Sequence, residues 1–174
     1  TAKKGSGGGA NIDVSTHVNI QSSTFRQNKA TGTIKSSGGG LALRGMDSKA
    51  RPETSLVLKD ILFDSNSVES MSADTSATPE TSFQASGAGL HLEAFLIDTF
   101  TASSLTIVSN EAQGHGGGAT LVDVRSFTAS KLQLSNWKIE SNSATTDGGG
   151  LAILGTTTVD MVDGTRKAKE KDST

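Results

Sequence analysis

The stretch Gly38-Gly39-Gly40-Leu41-Ala42-Leu43 decides the fold, because the chain repeats it. Close copies are Gly7-Gly8-Gly9-Ala10-Asn11-Ile12, Gly87-Ala88-Gly89-Leu90-His91-Leu92, Gly116-Gly117-Gly118-Ala119-Thr120-Leu121 and Gly148-Gly149-Gly150-Leu151-Ala152-Ile153. In each copy the first and third residues after the glycines are apolar and the second is small or polar. That period of two belongs to a half-buried strand. The glycines in front suit a sharp corner, where the backbone takes a positive φ or comes close to a neighbour.

A second element falls between the glycine clusters. It is an apolar pair, an apolar residue five positions on, and an asparagine three further. The copies are Val18, Ile20, Phe25, Asn28; Leu56, Leu58, Phe63, Asn66; Phe100, Ala102, Ile107, Asn110; and Leu132, Leu134, Ile139, Asn142. Two residues after each asparagine comes a small or β-branched residue, in turn Ala30, Val68, Ala112 and Ala144.

The clusters end at Gly9, Gly40, Gly89, Gly118 and Gly150, in steps of 31, 49, 29 and 32 residues. A Ser/Thr/Pro/Glu-rich stretch at 67–86 accounts for the long step and reads as a looped-out insertion, with a smaller one at 44–54. Residues 1–163 are therefore expected to form one repeat segment, and 164–174 a charged tail or linker. No leader-like pattern follows Thr1, which predicts a processed product or an internal piece of a longer protein.

A repeat of roughly 30 residues holds three short strands and three corners. The expected fold is all-β, a right-handed parallel β-helix (solenoid) of about four coils with three short strands per coil. Leu41, Leu90, Ala119 and Leu151 would then form one inward ladder, and Phe25, Phe63, Ile107 and Ile139 another. Asn28, Asn66, Asn110 and Asn142 would stack at a corner and bond side chain to side chain. Glycine triplets and a spacing of two argue against a helical repeat. A β-sandwich would not keep one asparagine offset in every unit.

Composition narrows the function classes. A net charge of −2 supplies no basic footprint for nucleic acid. No apolar run reaches the ~20 residues of a membrane-spanning helix. With no cysteine there is no disulfide and no thiolate metal site. Aromatics make up 4% of the chain, so large side chains do not fill the core. Stacked small apolar residues must do so.

The alternation of a glycine-cluster strand with a Phe/Ile-x-x-Asn-x-Ala segment, from Gly7 to Ile153, resembles the repeats of chlamydial polymorphic outer membrane proteins. Those carry a Gly-Gly-Ala-Ile-like element and a Phe-x-x-Asn element, on a pectin-lyase-like parallel β-helix. The resemblance implies a surface-displayed passenger used for adhesion. This sequence departs from the pattern in favouring Gly-Gly-Gly, and in placing Ile107 and Ile139 where the family has phenylalanine.

A β-helix also suits polysaccharide lyases and glycoside hydrolases, which need two or three converging acids. Four residues after each cluster come Asp13, Arg44, Glu93, Val122 and Leu154, and the residues following the Phe/Ile position are Arg26, Asp64, Val108 and Glu140. Neither set places acids on adjacent coils. The nearest approach is Glu93 with Asp123, beside His91 and His115; a solvated strand face is the simpler account of them. His91 takes the outward slot of its strand, His115 precedes a glycine corner, and His17 lies in a polar connection. Scattered in this way they make a poor metal site. Trp137 occupies the slot of Ser23, Ile61 and Leu105 and is expected to pack in the core or a cap. A sugar-stacking platform is the sharper alternative for it.

No catalytic, cofactor-binding or metal residue is assigned, and no cofactor is expected. The structural positions of the repeat are Gly9, Phe25, Asn28, Gly40, Phe63, Asn66, Gly89, Ile107, Asn110, Gly118, Ile139, Asn142 and Gly150. The expected role is a non-enzymatic structural or adhesive segment of a larger surface or extracellular repeat protein. Its partners would be other proteins or further repeats of the same chain, with carbohydrate as a second ligand class and no direct membrane span. An internal scaffold of a large assembly, which would be intracellular, and a polysaccharide lyase or glycoside hydrolase are the alternatives.

Overall fold

The computed structural model describes residues 4–6, 8–14, 17–32, 35–45, 55–70, 85–93, 96–97, 99–126, 132–146, 148–154, 159–162 and 165–167. Among them the fold is all-β, with 22 strands and no helix. All named strand pairings are parallel, and they form sheets of three, five, two, eight and four strands. No helix of the described residues is long and apolar enough to cross a membrane.

The five-stranded sheet is made by the segments that follow the glycine clusters. Ala10–Val14, Leu41–Gly45, Leu90–Glu93, Ala119–Val122 and Leu151–Leu154 lie side by side in chain order. Their register matches each residue to its counterpart in the next copy, Ala10 to Leu41, Leu90, Ala119 and Leu151 in succession. The apolar positions turn inward: Leu41, Leu43, Leu90, Leu92 and Leu121 are wholly buried.

The eight-stranded sheet carries the second motif. Ser55–Asp64 and Thr99–Val108 form its centre, flanked by His17–Gln21 and Thr24–Arg26 on one side and Leu132–Ser135 and Lys138–Glu140 on the other. Register aligns Phe25, Phe63, Ile107 and Ile139. The Phe25 and Phe63 rings stack with centroids 5.3 Å apart and an 11° tilt. Period-two burial along Ser55–Asp64 puts Leu56, Leu58, Ile61 and Phe63 in the same core as the glycine-sheet leucines.

The residues after each asparagine form a four-stranded sheet of Lys29–Gly32, Ser67–Ser70, Glu111–Ala112 and Ser143–Ala144. Ala30, Val68 and Ala112 join Ala85 and Ala88 there in a second, smaller core.

Each half of the long strand motif ends on a residue with positive φ. Ser22, Asp60, Ser104 and Asn136 mark one bend; Gln27, Ser65, Ser109 and Ser141 mark the corner five residues on. Asp60 and Asn136 are of the types that tolerate this left-handed region best after glycine. The glycine clusters divide their work. Gly38, Gly87, Gly116 and Gly148 have φ between +61° and +65°. Gly40 serves close approach instead: a Cβ there would stand 2.7 Å from the Gly89 carbonyl oxygen.

Three expectations change. Residues 35–70 contribute four strands, Lys35–Ser37, Leu41–Gly45, Ser55–Asp64 and Ser67–Ser70, where three were expected. The extra strand carries buried Ser36 and Ser37 and so lacks the apolar alternation that would announce it. The insertions are narrower than 44–54 and 67–86, because Arg44, Gly45, Ser67–Ser70 and Ala85–Ser86 are in strands. Their remainders, 46–54 and 71–84, lie outside the described residues. The boundary at 163 is crossed as well: Val159–Val162 pairs with Leu132–Ser135, and Thr165–Lys167 with Lys138–Glu140. The rest of the 164–174 tail, residue 164 and 168–174, lies outside the described residues.

Candidate functional site

The asparagines expected to stack do so. The backbone N–H and the Nδ2–H of Asn28 both donate to Asn66 Oδ1, at 3.0 and 2.9 Å. Asn66 treats Asn110 Oδ1 in the same way, at 2.9 Å for both. Asn110 repeats the pattern on Asn142 Oδ1, again at 2.9 Å for both. The remaining amide hydrogen caps a carbonyl of the preceding corner. Asn66 donates to Phe25 O at 2.9 Å, Asn110 to Phe63 O at 3.1 Å and Asn142 to Ile107 O at 2.8 Å. Asn66 and Asn110 are 1% and 0% exposed, so an unpaired amide there would carry its full desolvation cost.

The glycine column lies against this ladder. A Cβ on Gly9 would meet the Asn28 carboxamide at 2.9 Å; on Gly40, Asn66 at 3.2 Å; on Gly89, Asn110 at 3.2 Å; on Gly118, Asn142 at 3.0 Å. Gly150 faces Ile139 instead, with Cγ2 2.9 Å from a Cβ position. The two sequence motifs are therefore two halves of one packing unit.

Trp137 is 1% exposed, and its Nε1–H donates to Ala102 O at 2.9 Å. Burial removes the ring from any sugar ligand, and the core reading holds.

His91 corrects the expectation of a surface residue. It is 2% exposed, with Nδ1 3.3 Å from Ser86 Oγ and Nε2 3.4 Å from Glu93 Oε2. Arg44, in register with Glu93, donates from Nε and Nη2 to the same Oε2 at 3.2 and 3.1 Å. The outer face of the glycine sheet is closed at this level, since Ala42 and Thr120, the register neighbours of His91, are also buried. Ser86, His91 and Glu93 resemble a nucleophile, base and acid only by residue type. Ser86 is 1% exposed, which keeps its hydroxyl from a polymeric substrate.

Glu93 and Asp123 are not paired by the sheet. Glu93 stands in register with Val122, while Asp123 is exposed at a bend with φ of 50°. His17 belongs to the strand His17–Gln21, not to a connection, and its Nδ1 lies 2.7 Å from Ser55 Oγ. His115 forms an isolated parallel bridge with Ser86. Among the described residues no group of three or more His, Cys, Asp or Glu could hold a metal ion. On the outer faces, charge pairs link neighbouring segments: Arg26 with Asp64 at 2.8 Å and Lys29 with Glu69 at 2.7 Å.

Sequence reasoning missed the Ser86–His91–Glu93–Arg44 network and the left-handed bends. The network could have been suspected from histidine standing in a column of Asn11, Ala42, Thr120 and Ala152. The bends show as Ser, Asp, Asn or Gln pairs five residues apart.

No protein-family model, curated protein or solved structure matches the chain.

Proposed function

We propose that the chain is a segment of right-handed parallel β-helix, about four coils long, that serves as a structural and adhesive element of a larger surface repeat protein. The observation that carries this reading is the continuous hydrogen-bonded line from Asn28 through Asn66 and Asn110 to Asn142. It joins the same position of successive chain segments, while parallel registers align those segments on either side of it. Parallel strands joined by crossovers are right-handed in nearly all proteins. Coils would rise at about 4.8 Å each.

Such a stack presents flat faces of short polar side chains, crossed by charge pairs, and buries its chemistry-bearing groups. Surfaces of that kind suit contact with other proteins. The motif likeness to polymorphic outer membrane repeats supports display outside the cell. The enzymatic alternative lacks a specific observation in its favour: Glu93 is engaged by Arg44, and Ser86 and His91 are buried.

The test pairs two assays on the purified chain. Immobilised protein is offered cell-surface protein extracts and intact cells, and soluble protein is incubated with acidic and neutral polysaccharides. Saturable adhesion that survives glycan removal, with no new reducing ends or unsaturated uronides, is the expected result. Polysaccharide cleavage would overturn the proposal.

A further inference from the structure

The four carboxamides of the ladder are not equivalent. The oxygens of Asn66, Asn110 and Asn142 each accept two donors from the asparagine before. Asn28 gives its backbone N–H and one amide hydrogen to Asn66, and its own Oδ1 receives no donor among the described residues. By the geometry of the other rungs, that oxygen points away from Asn66.

The surroundings of Asn28 are open in the same direction. Lys4–Ser6, Ala10–Val14 and Lys29–Gly32 each stand at the end of a sheet, and His17–Gln21 and Thr24–Arg26 pair with Ser55–Asp64 alone. Leu43, Leu58 and Phe63 are wholly buried, whereas their register partners Ile12, Ile20 and Phe25 are only partly covered. Backbone donors agree. Leu62 N–H bonds Ser23 O and Ser67 N–H bonds Asn28 O. Their register equivalents Thr24 and Lys29 thus direct N–H groups toward the open side.

We propose that this end is a docking surface for one further coil of the same repeat, supplied by the same polypeptide. Its asparagine would place a backbone N–H and a carboxamide NH₂ on Asn28 Oδ1, and its apolar column would cover Phe25. The inference rests on the β-helix reading. Every rung already present joins segments of one chain, 38, 44 and 32 residues apart, so supply in cis repeats an existing interface. A second copy fits less well. Head to head, two copies would set acceptor against acceptor. Head to tail, the far end would bring no further asparagine to Asn28, since none follows Asn142 in the sequence.

The experiment joins a copy of residues 116–145 directly to Thr1, the junction set by the registers Lys29↔Ser67, Ser67↔Glu111 and Glu111↔Ser143. Amide exchange and thermal unfolding are then compared with the original chain. Thr24 and Lys29 amides should slow by about a hundredfold, as buried ladder amides do. The Tm should rise, and Asn28→Ala should become as damaging as Asn66→Ala. Unchanged exchange at Thr24 and Lys29, with Ser67, Glu111 and Ser143 still protected, would overturn this proposal alone. Loss of protection at Ser67, Glu111 and Ser143 in the original chain would overturn the β-helix reading with it. Concentration-dependent protection of Thr24 and Lys29 in the original chain would assign the surface to a second copy instead.

Discussion

Gly40 lies against the carboxamide of Asn66, so close that a methyl group on Gly40 would stand 3.2 Å from the amide and 2.7 Å from the carbonyl oxygen of Gly89. This contact explains why the glycine clusters and the asparagines recur together. The amide ladder can close its hydrogen bonds only where the neighbouring backbone carries no side chain. Gly40→Ala should therefore cost about 3 kcal/mol, in the range of core overpacking. Gly149→Ala is the control, since its Cβ would meet only Asn142 O at 3.1 Å and otherwise ordinary contacts at 3.8 Å. Urea denaturation should show a much larger drop in midpoint for Gly40→Ala than for Gly149→Ala.

Removing a rung should cost according to what it leaves unpaired. Asn110→Ala takes the acceptor from two donors of Asn66 and a donor from Phe63 O and Val108 O, all at a fully buried position. The loss should be about 3 kcal/mol, while Asn28→Ala, at the half-buried end, should lose about 1 kcal/mol. Equal losses in denaturant titrations would refute the ladder as the source of the difference.

Trp137 provides an internal probe. Its fluorescence should be blue-shifted in the native protein and move to the red on unfolding, because the ring is buried. Trp137→Phe keeps most of the packing and removes the bond to Ala102 O, for about 1–2 kcal/mol. Trp137→Ala should cost about 3–5 kcal/mol through the cavity it leaves. Native emission at the wavelength of free tryptophan would contradict the buried placement.

The Arg44–Glu93 pair is half exposed, with side chains 44% and 21% accessible. Screening limits such a pair to about 0.5 kcal/mol. Arg44→Gln should lower stability slightly at low ionic strength, and the difference should vanish near 1 M salt, where charges are screened within about 3 Å. A large loss that persists in high salt would mean the guanidinium packs rather than pairs.

The sequence carried the parts of the structure that depend on repeated local chemistry. Leu41, Leu90, Ala119 and Leu151 align because period-two apolar residues have one core to face. The asparagines align because their offset from Phe or Ile never varies. What stayed hidden depends on neighbours distant in sequence or on weak local signals. Ser36 and Ser37 are buried without being apolar. His91 is enclosed between Ala42 and Thr120, with the odd residue in its column as the only sequence signal, and Val159–Val162 joins its sheet although the stretch lacks the asparagine that marked the earlier copies.

Each ladder rung also fixes a length of chain. Opening the Asn28–Asn66, Asn66–Asn110 or Asn110–Asn142 bond would release a span of 38, 44 or 32 residue steps. At roughly 3.4 Å per extended residue, that is a contour gain of about 110–150 Å per event. Under tension applied at its two ends, the chain would lengthen in discrete steps of unequal size, each step naming the rung that broke.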